Sequence, residues 1–578
     1  MIEMIRFPGV RTMMKGGYLL ATVTASSSFH LNVLQRATAF SPTRITHYSS
    51  RIRHHDTTRA YLSTTQLYEQ KQKHIVLVGG GHAHLQVIKA FNQASLSRLA
   101  NADWSVTVTV IDQSDRASYS GMVPGCIANT YTKEETEISL TDLTEWAGID
   151  FIHGRVVDID FEAQEIRLEA HGDECGSTND ENDSSKTIVN YDVLSLDIGS
   201  TARGLEIPGV LDYTLPTRPI DALVRRLDEA SDALKENTNV FLKGDDDDNN
   251  NEKIKIVVVG AGAAGLELAM VLRERFDPIV QGLGRELEVT VLNSGSTSNL
   301  LPDENIFCRM ALQDALDRRN VRFVNGRVNC VNQDEVVVEV EQEKDGEMQL
   351  CSLPFTICCW AAGAHPHSLS FRLGDSGVAL SDRGWIRVGP TLQTVSYDNV
   401  FAAGDCSQIE GLGSEESPPK AGVYAVRAGP VLVENICKYL KEEELVDYDP
   451  QSDFLKIMNC GDGTAIGFRF GLPLVGKWVF DLKDDIDVMF MDLFRLENLS
   501  SLNDKTNDDD RDGSIHVAQY DDAIIRQIDR IDALEAANIL ARSDDGVDYQ
   551  EAWIALREMV ADEDYKREVL KCFKKLNR

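Results

Sequence analysis

The sequence predicts an α/β fold made of two parallel-sheet units, the second inserted in the first, followed by an α+β C-terminal region and a small helical appendage. Three segments predict it. The apolar, β-branched run His74 to Val78 passes through Gly79-Gly80-Gly81-His82-Ala83-His84 into an amphipathic stretch ending at Phe91. A second run, Ile256 to Val259, passes through Gly260-Ala261-Gly262-Ala263-Ala264-Gly265 into a helix from Leu266 to Phe276. The third, Asn399 to Asp405, is an apolar strand closing in Gly-Asp. A strand, a glycine turn and a helix in that order form the repeating unit of a parallel sheet.

With 578 residues the chain has material for several domains of about 150 residues each. Apolar residues make up 43% and charged residues 26%, the usage of a chain that folds. The net charge of -34 repels phosphate backbones and anionic surfaces, so nucleic acid is not an expected partner. Much of the acid lies in three polar runs, 173–183, 245–252 and 504–512, which read as solvated insertions or linkers. The 11 cysteines include no CxxC pair, and the adjacent Cys358 and Cys359 sit in an apolar run as core residues. Neither a metal site nor a redox dithiol is expected. No apolar stretch reaches the roughly 18 residues needed to cross a membrane.

Residues 1–65 differ from the rest, carrying eight Lys/Arg against Glu3 and Asp56. Such an acid-poor basic leader reads as a transit peptide outside the fold. Arg59-Ala60-Tyr61-Leu62-Ser63 resembles a mitochondrial cleavage site, and Ala37-Thr38-Ala39-Phe40 the junction of algal plastid leaders. The expected address is an organelle, the mitochondrion ahead of the plastid, with a tail carrying no address as the third reading.

At the first turn, Gly79 permits a tight bend, and Gly81 lets backbone approach a pyrophosphate stabilised by the positive helix end. His84 stands where a third glycine normally allows close helix and strand packing. The strand Val106 to Ile111 ends at Asp112, placed to accept hydrogen bonds from an adenosine ribose. His82 and His84 have HxH spacing without a carboxylate or cysteine nearby, so packing or a phosphate contact is expected instead of a metal. The second turn keeps all three glycines, Gly260, Gly262 and Gly265, and is followed by the strand Leu287 to Leu292. Asn293 and Ser294 after that strand provide neither a carboxylate for NAD nor an arginine for NADP, and the choice stays open. Two Rossmann-like dinucleotide-binding domains follow, one for FAD and one for NAD(P)H. The expected boundaries are 74–215 and 366–440 for FAD, 216–365 for NAD(P)H, 450–498 for a C-terminal interface region, 499–513 for an acidic linker and 514–578 for the appendage.

Further segments carry a resemblance. Tyr191 to Ser200, followed by Ile207-Pro208-Gly209, is similar to the crossing between domains of two-dinucleotide flavoproteins, with Asp197 in place of the usual Thr. Cys359-Trp360-Ala361-Ala362-Gly363-Ala364 is similar to the return crossing. In their order over residues 74–440 these segments resemble the pyridine nucleotide-disulfide oxidoreductase superfamily, without the disulfide of its name. Among its branches the likeness runs to type II NADH dehydrogenases, and more closely to the flavoprotein module fused to selenophosphate synthetase. Tyr119 to Gly125, Asp197 to Ser200, Pro419 to Arg427, Gly461-Asp462, Trp478 and Lys483 carry that closer likeness. The Cys-containing start of such a kinase is not seen in residues 500–578. The resemblance implies FAD contacts from Gly79, Gly81, His82, His84, Asp112, Pro124, Gly199, Gly404, Asp405, Lys420 and Ala421. It implies NAD(P)H contacts from Gly260, Gly262, Ala263, Gly265, Asn293 and Gly363.

Hydride transfer between nicotinamide and flavin needs alignment, so no general base is nominated. Pro418 and Pro419 precede a helix expected over Lys420 to Cys437, whose positive end would face the flavin pyrimidine edge. Lys420 adds a charge there or is a solvated lysine beside a helix start. Cys126 is a reactive thiol or a small packed residue, and the cysteine spacing favours packing. Residues Gly471 to Phe480 read as strand, and Leu482, Ile486, Met489, Phe490 and Leu493 as one helical face. Opposite lie Asp481, Asp484, Asp485, Asp487 and Asp492, which favour a homodimer or core helix over peripheral membrane contact. Ile524, Ile528, Ile531 and Leu534 give the appendage helical periodicity. The expected activity is that of an FAD-dependent NAD(P)H oxidoreductase passing electrons to a quinone or to a selenium or sulfur compound. The second reading is a redox-sensing interaction protein with little turnover.

Overall fold

The computed structural model describes residues 10–15, 18–23, 71–100, 104–169, 187–236, 253–294, 300–341, 348–411, 417–451, 454–469 and 472–499. The three acidic runs, both cleavage motifs and the appendage lie outside the described residues. Residues Met1–Glu69 and Gln70–Arg578 form separate compact units. In the first, Val10–Lys15 and Tyr18–Val23 pair antiparallel, so the leader read as lying wholly outside the fold contains a local hairpin.

The second unit is built on two five-stranded sheets. One places Val400–Ala402, Val193–Leu196, Lys71–Val78, Trp104–Asp112 and Asp150–His153 side by side, all parallel. The other orders Leu215–Pro216, Ile357–Trp360, Ile254–Val259, Leu287–Asn293 and Val321–Asn325, again all parallel. Their central strands are buried on both faces, which is why they read as continuous apolar runs. Both domain crossings lie together, since Ser200–Ala202 pairs antiparallel with Ala364–Pro366.

The C-terminal region joins the two cores. Lys456–Asn459, Ala465–Arg469 and Leu472–Gly476 form an antiparallel sheet whose Met458, Ile466 and Phe468 pack into the core of the inserted domain. From it runs the helix Lys477–Asp492, whose Phe490 and Met491, with Phe494, join the core of the first domain. Strand was expected through Phe480, but it stops at Gly476, which adopts φ +126°, and the helix begins at Lys477. The expected helical face shifts as well. Leu482 and Phe490 are buried with Trp478, Val479, Lys483 and Asp487, whereas Ile486, Met489 and Leu493 are half-buried. Asp487, assigned above to the solvated face, is 3% exposed because Lys483 pairs with it. The helix therefore packs within its own chain, and no helix among the described residues is long and apolar enough to cross a membrane.

Gly209 follows the outward crossing at φ +80°, where a Cβ would collide with the Val331 carbonyl oxygen. Gly209→Ala is expected to lower thermal unfolding stability by about 1–3 kcal/mol. Gly282→Ala, at a helix position with nothing within 4 Å, is the control and is expected to be neutral or stabilising.

Candidate active site

At the first turn Gly79 adopts φ +94° and donates to the Ile111 carbonyl at 2.9 Å, and a Cβ there would collide with the Asp197 carbonyl. Asp112 closes the turn, accepting from the Gly80 and Ser114 amides at 2.5 and 2.8 Å. It stands at the end of the strand Trp104–Asp112. Burial raises its carboxyl above the usual range, and those amides pull the other way.

His84 is fully buried, with Nδ1 2.6 Å from the Gly79 carbonyl and Nε2 2.8 Å from the Ser195 hydroxyl. A carbonyl only accepts, so Nδ1 carries the proton and Nε2 accepts from Ser195. Burial lowers its pKa to about 4, and the ring is neutral. The residue in the third-glycine position thus spaces helix from strand and bonds them together. Its ring is spent on packing the turn and leaves only the backbone amide at the helix end to face a cofactor.

His82 is different. Its ring lies edge-on to Tyr119 at 5.5 Å and to Phe490 at 5.9 Å, and Tyr119 stacks on Phe490 at 4.3 Å. Its Nε2 is buried without a hydrogen-bond partner. Burial pushes its pKa down, against the opposing charge of Asp405.

Asp405 follows Gly404, which has φ +70°, and accepts from the Ser200 hydroxyl at 3.1 Å and from Arg218 at 2.5 Å. Arg218 was not found from the sequence, since it lies beyond the crossing motif and belongs to no pattern. The helix expected over Lys420 to Cys437 runs from Gly422 to Leu440, with Ala421 as its N-cap. Gly429 lets it cross the helix His82–Ala90 closely, for a Cβ there would meet Gln86 at 2.8 Å. Two positive helix ends therefore converge beside His82 and Asp405. Lys420 neither stands free nor is solvated: its ammonium donates to the Ser407 carbonyl and lies 4.5 Å from the Trp385 ring centroid, bracing the segment after Asp405.

Pro124 opens the short helix Val123–Ile127 after the Tyr119 loop. Cys126 in that helix is 6% exposed and packs into the core of the inserted domain, and burial and Asp228 raise its thiol pKa. That overturns the reactive-thiol reading. No disulfide joins the described cysteines, and Cys126 and Cys406 belong to different cores. Among the described residues no cluster is built to hold a metal.

The second turn is open. Gly260 has φ +116° and Gly363 φ +98°, and nothing lies within 4 Å of a Cβ on Gly262, Gly363 or, in the outward crossing, Gly199. Gly265 cannot bear a Cβ without striking the Gly260 carbonyl, the close approach the third glycine allows, and Ala263 starts the helix Ala263–Gly282. Asn293 donates to Asn325 Oδ1 at 2.9 Å, giving a neutral polar pair at the strand end. Both turns present a helix end and a polar residue at the strand end, as a dinucleotide site requires; the cradle is open at the second turn, whereas at the first the Asp197 carboxylate lies against Gly81 and Gly404.

A buried charged group joins the C-terminal helix to both domains. Lys483 donates to Asp487 Oδ2 and to the Gly121 carbonyl, each at 2.5 Å, and Tyr131 donates to Asp484 at 2.6 Å. Glu267, on the helix after the second turn, accepts from the Asn459 amide at 2.7 Å. Burial raises its pKa to about 7, with the nearby charge of Lys483 opposing. Lys483 and Asp487 are four residues apart, a spacing that allows helical pairing, but the sequence pattern places Asp487 on the polar face; Glu267 gives no signal.

Residues 59–429 match the family described as pyridine nucleotide-disulphide oxidoreductase. The chain belongs to that family. FAD and NAD(P)H are the cofactors typical of it, and the chain is an oxidoreductase of this FAD-dependent type. A type II NADH:quinone oxidoreductase of Staphylococcus aureus (strain NCTC 8325 / PS 47) is 23% identical over 425 residues, 72% of this chain and 95% of the relative. Among solved structures, NDH2 from Plasmodium falciparum in complex with NADH has a TM-score of 0.59 at 13% identity, covering 74% of this chain and 98% of that one. The sulfide:quinone oxidoreductase of Aquifex aeolicus has a TM-score of 0.56 at 16% identity, covering 74% and 92%. These structural likenesses concern the fold.

Asp405→Ala removes the acceptor shared by Ser200 and Arg218 and strands Arg218; the purified protein is expected to lose its yellow flavin absorbance. Gly262→Val should leave FAD bound, because the position faces open space, while weakening NAD(P)H binding by about 2 kcal/mol, measured by titration.

Proposed function

We propose that the protein is an NADH:quinone oxidoreductase, carrying hydride from nicotinamide to FAD and electrons onward to a quinone. The observation that carries this reading is the wall that the C-terminal helix sets beside the first turn, with Tyr119 stacked on Phe490 and Lys483 buried against Asp487. An aromatic wall suits a planar ring, and the buried ionisable groups suit a reduction that consumes a proton. The quinone named in the relatives supports the same acceptor. The neutral Asn293–Asn325 pair suits the 2′-hydroxyl of NADH better than a 2′-phosphate. The basic leader supports an organellar site of action, the mitochondrion first.

The balance is NADH, one proton and quinone giving NAD⁺ and quinol. Bound FAD would accept the hydride and release its electrons. The chain's residues hold and orient: the two helix ends favour negative charge, Asp112 and Asp405 fix the ends of the flavin nucleotide, and the open second turn receives NADH. Glu267, its pKa raised to about 7 by burial, holds a proton near Lys483, and Asp487, raised by burial and opposed by Lys483, pairs with that lysine in the wall.

Anaerobic stopped-flow absorbance tests the reading. NADH is expected to bleach the flavin, and a short-chain ubiquinone to restore it. Reoxidation by selenite or a disulfide but not by quinone would overturn the acceptor. A proton held on Glu267 is lost as pH rises through about 7, so the quinone half-reaction is expected to slow across that range. Glu267→Gln should abolish that inflection while leaving flavin reduction by NADH unchanged.

A further inference from the structure

The two Rossmann units can be matched position by position within this chain. Gly79 donates to the Ile111 carbonyl at 2.9 Å as Gly260 does to Leu292 at 2.8 Å. Asp197 donates to the Val78 carbonyl at 2.9 Å as Ala361 does to Val259 at 2.7 Å. The side chains at these equivalent positions differ. In the inserted unit Ala361 leaves the ground in front of Gly262 open. In the first unit the Asp197 carboxylate fills it, so a Cβ on either Gly81 or Gly404 would collide with that carboxylate.

Asp197 Oδ2 accepts from the Ala83 amide at 2.9 Å and from His84 at 3.3 Å, the first-turn donors of the helix His82–Ala90. A Rossmann turn presents such donors to a dinucleotide phosphate. The carboxylate is 4% exposed, and no described cation pairs with it. Arg218 is engaged by Asp405 and Lys420 by the Ser407 carbonyl, while the neutral His84 ring is spent on Gly79 and Ser195. The ionisable groups that face Asp197 from the neighbouring strands and loops are Asp405, Asp112 and the Cys406 thiol.

We propose that Asp197 carries a proton whenever the FAD diphosphate is seated on this turn, so that flavin binding takes up a proton and weakens as the pH rises. The inference rests on FAD occupying the first unit and is independent of the acceptor. A carboxylate and a diphosphate at one buried helix end repel each other with no cation between them. In the protonated acid the carbonyl oxygen still accepts from Ala83 and His84, and the hydroxyl is left to donate to a phosphate oxygen. Burial, with Asp405 and Asp112 pushing the same way and the Ala83 and His84 amides pulling against it, raises its pKa to about 7. Below that pH the acid is already protonated and flavin affinity is flat. Above it a proton must be taken up on binding, and affinity falls by about tenfold per pH unit until the pKa of the bound state is passed.

The test is the equilibrium release of FAD from the holoenzyme, read by the fluorescence of free flavin from about pH 6 to about pH 9. The wild-type Kd is expected to be level at the acid end and to rise with near-unit slope above neutrality. Asp197→Asn preserves an oxygen for both amides and cannot ionise, and its Kd is expected to stay level throughout. A level wild-type profile, or the same slope in Asp197→Asn, would overturn the inference. Should that variant fail to fold, calorimetric FAD binding to the wild-type protein in two buffers of different ionisation enthalpy decides. About one proton taken up per flavin at about pH 8 supports the inference, and none overturns it.

Discussion

The structure depends on a backbone approach that tolerates no side chain. At Gly79 and at Gly260 the chain leaves a parallel strand with positive φ and passes against a carbonyl of the crossing segment, that of Asp197 in one unit and Ala361 in the other. This contact sets the direction of the following helix, so its positive end points at the place where a dinucleotide phosphate binds. Two sheets, two crossings and two sites are built around that one steric requirement. The crossings then pair as a short antiparallel ribbon, which brings Ser200 to Asp405 and the start of the inserted domain, through Arg218, to the same carboxylate.

The C-terminal region ties the two Rossmann units together. Its sheet packs on the inserted core and the end of its helix on the first core, so the region bridges the two cores. Burying Lys483, Asp487 and Glu267 at that junction is costly for any one of them alone. The cost is offset because Lys483 stands between carboxylates and also donates to Gly121, on the loop that carries Tyr119. The same cluster therefore anchors the helix against the loop that carries Tyr119.

The glycine turns were legible because backbone geometry restricts them to a small set of residues, and the parallel strands because burial on both faces makes them apolar throughout. The strand and helix at 472–492 were harder to read. A run of apolar residues is compatible with either, and the expected helical face was assigned without knowing that Asp487 would be buried against Lys483. His84 was read as a flaw in the first fingerprint. It is a repair, since its ring makes the link between helix and strand that a missing glycine would have made by contact.

What the sequence by itself determined was the order of the two dinucleotide units, the turn glycines, Asp112 and Asp405, because each follows from spacing along one chain segment. Tertiary structure alone decided the partners: Arg218 on Asp405, Lys420 on Ser407, Glu267 near Lys483, and Asp197 at the helix end. These contacts join residues far apart in the chain, and burial sets their charge states. The composition of a segment carries no record of which distant carboxylate, amide or ring will remove it from water.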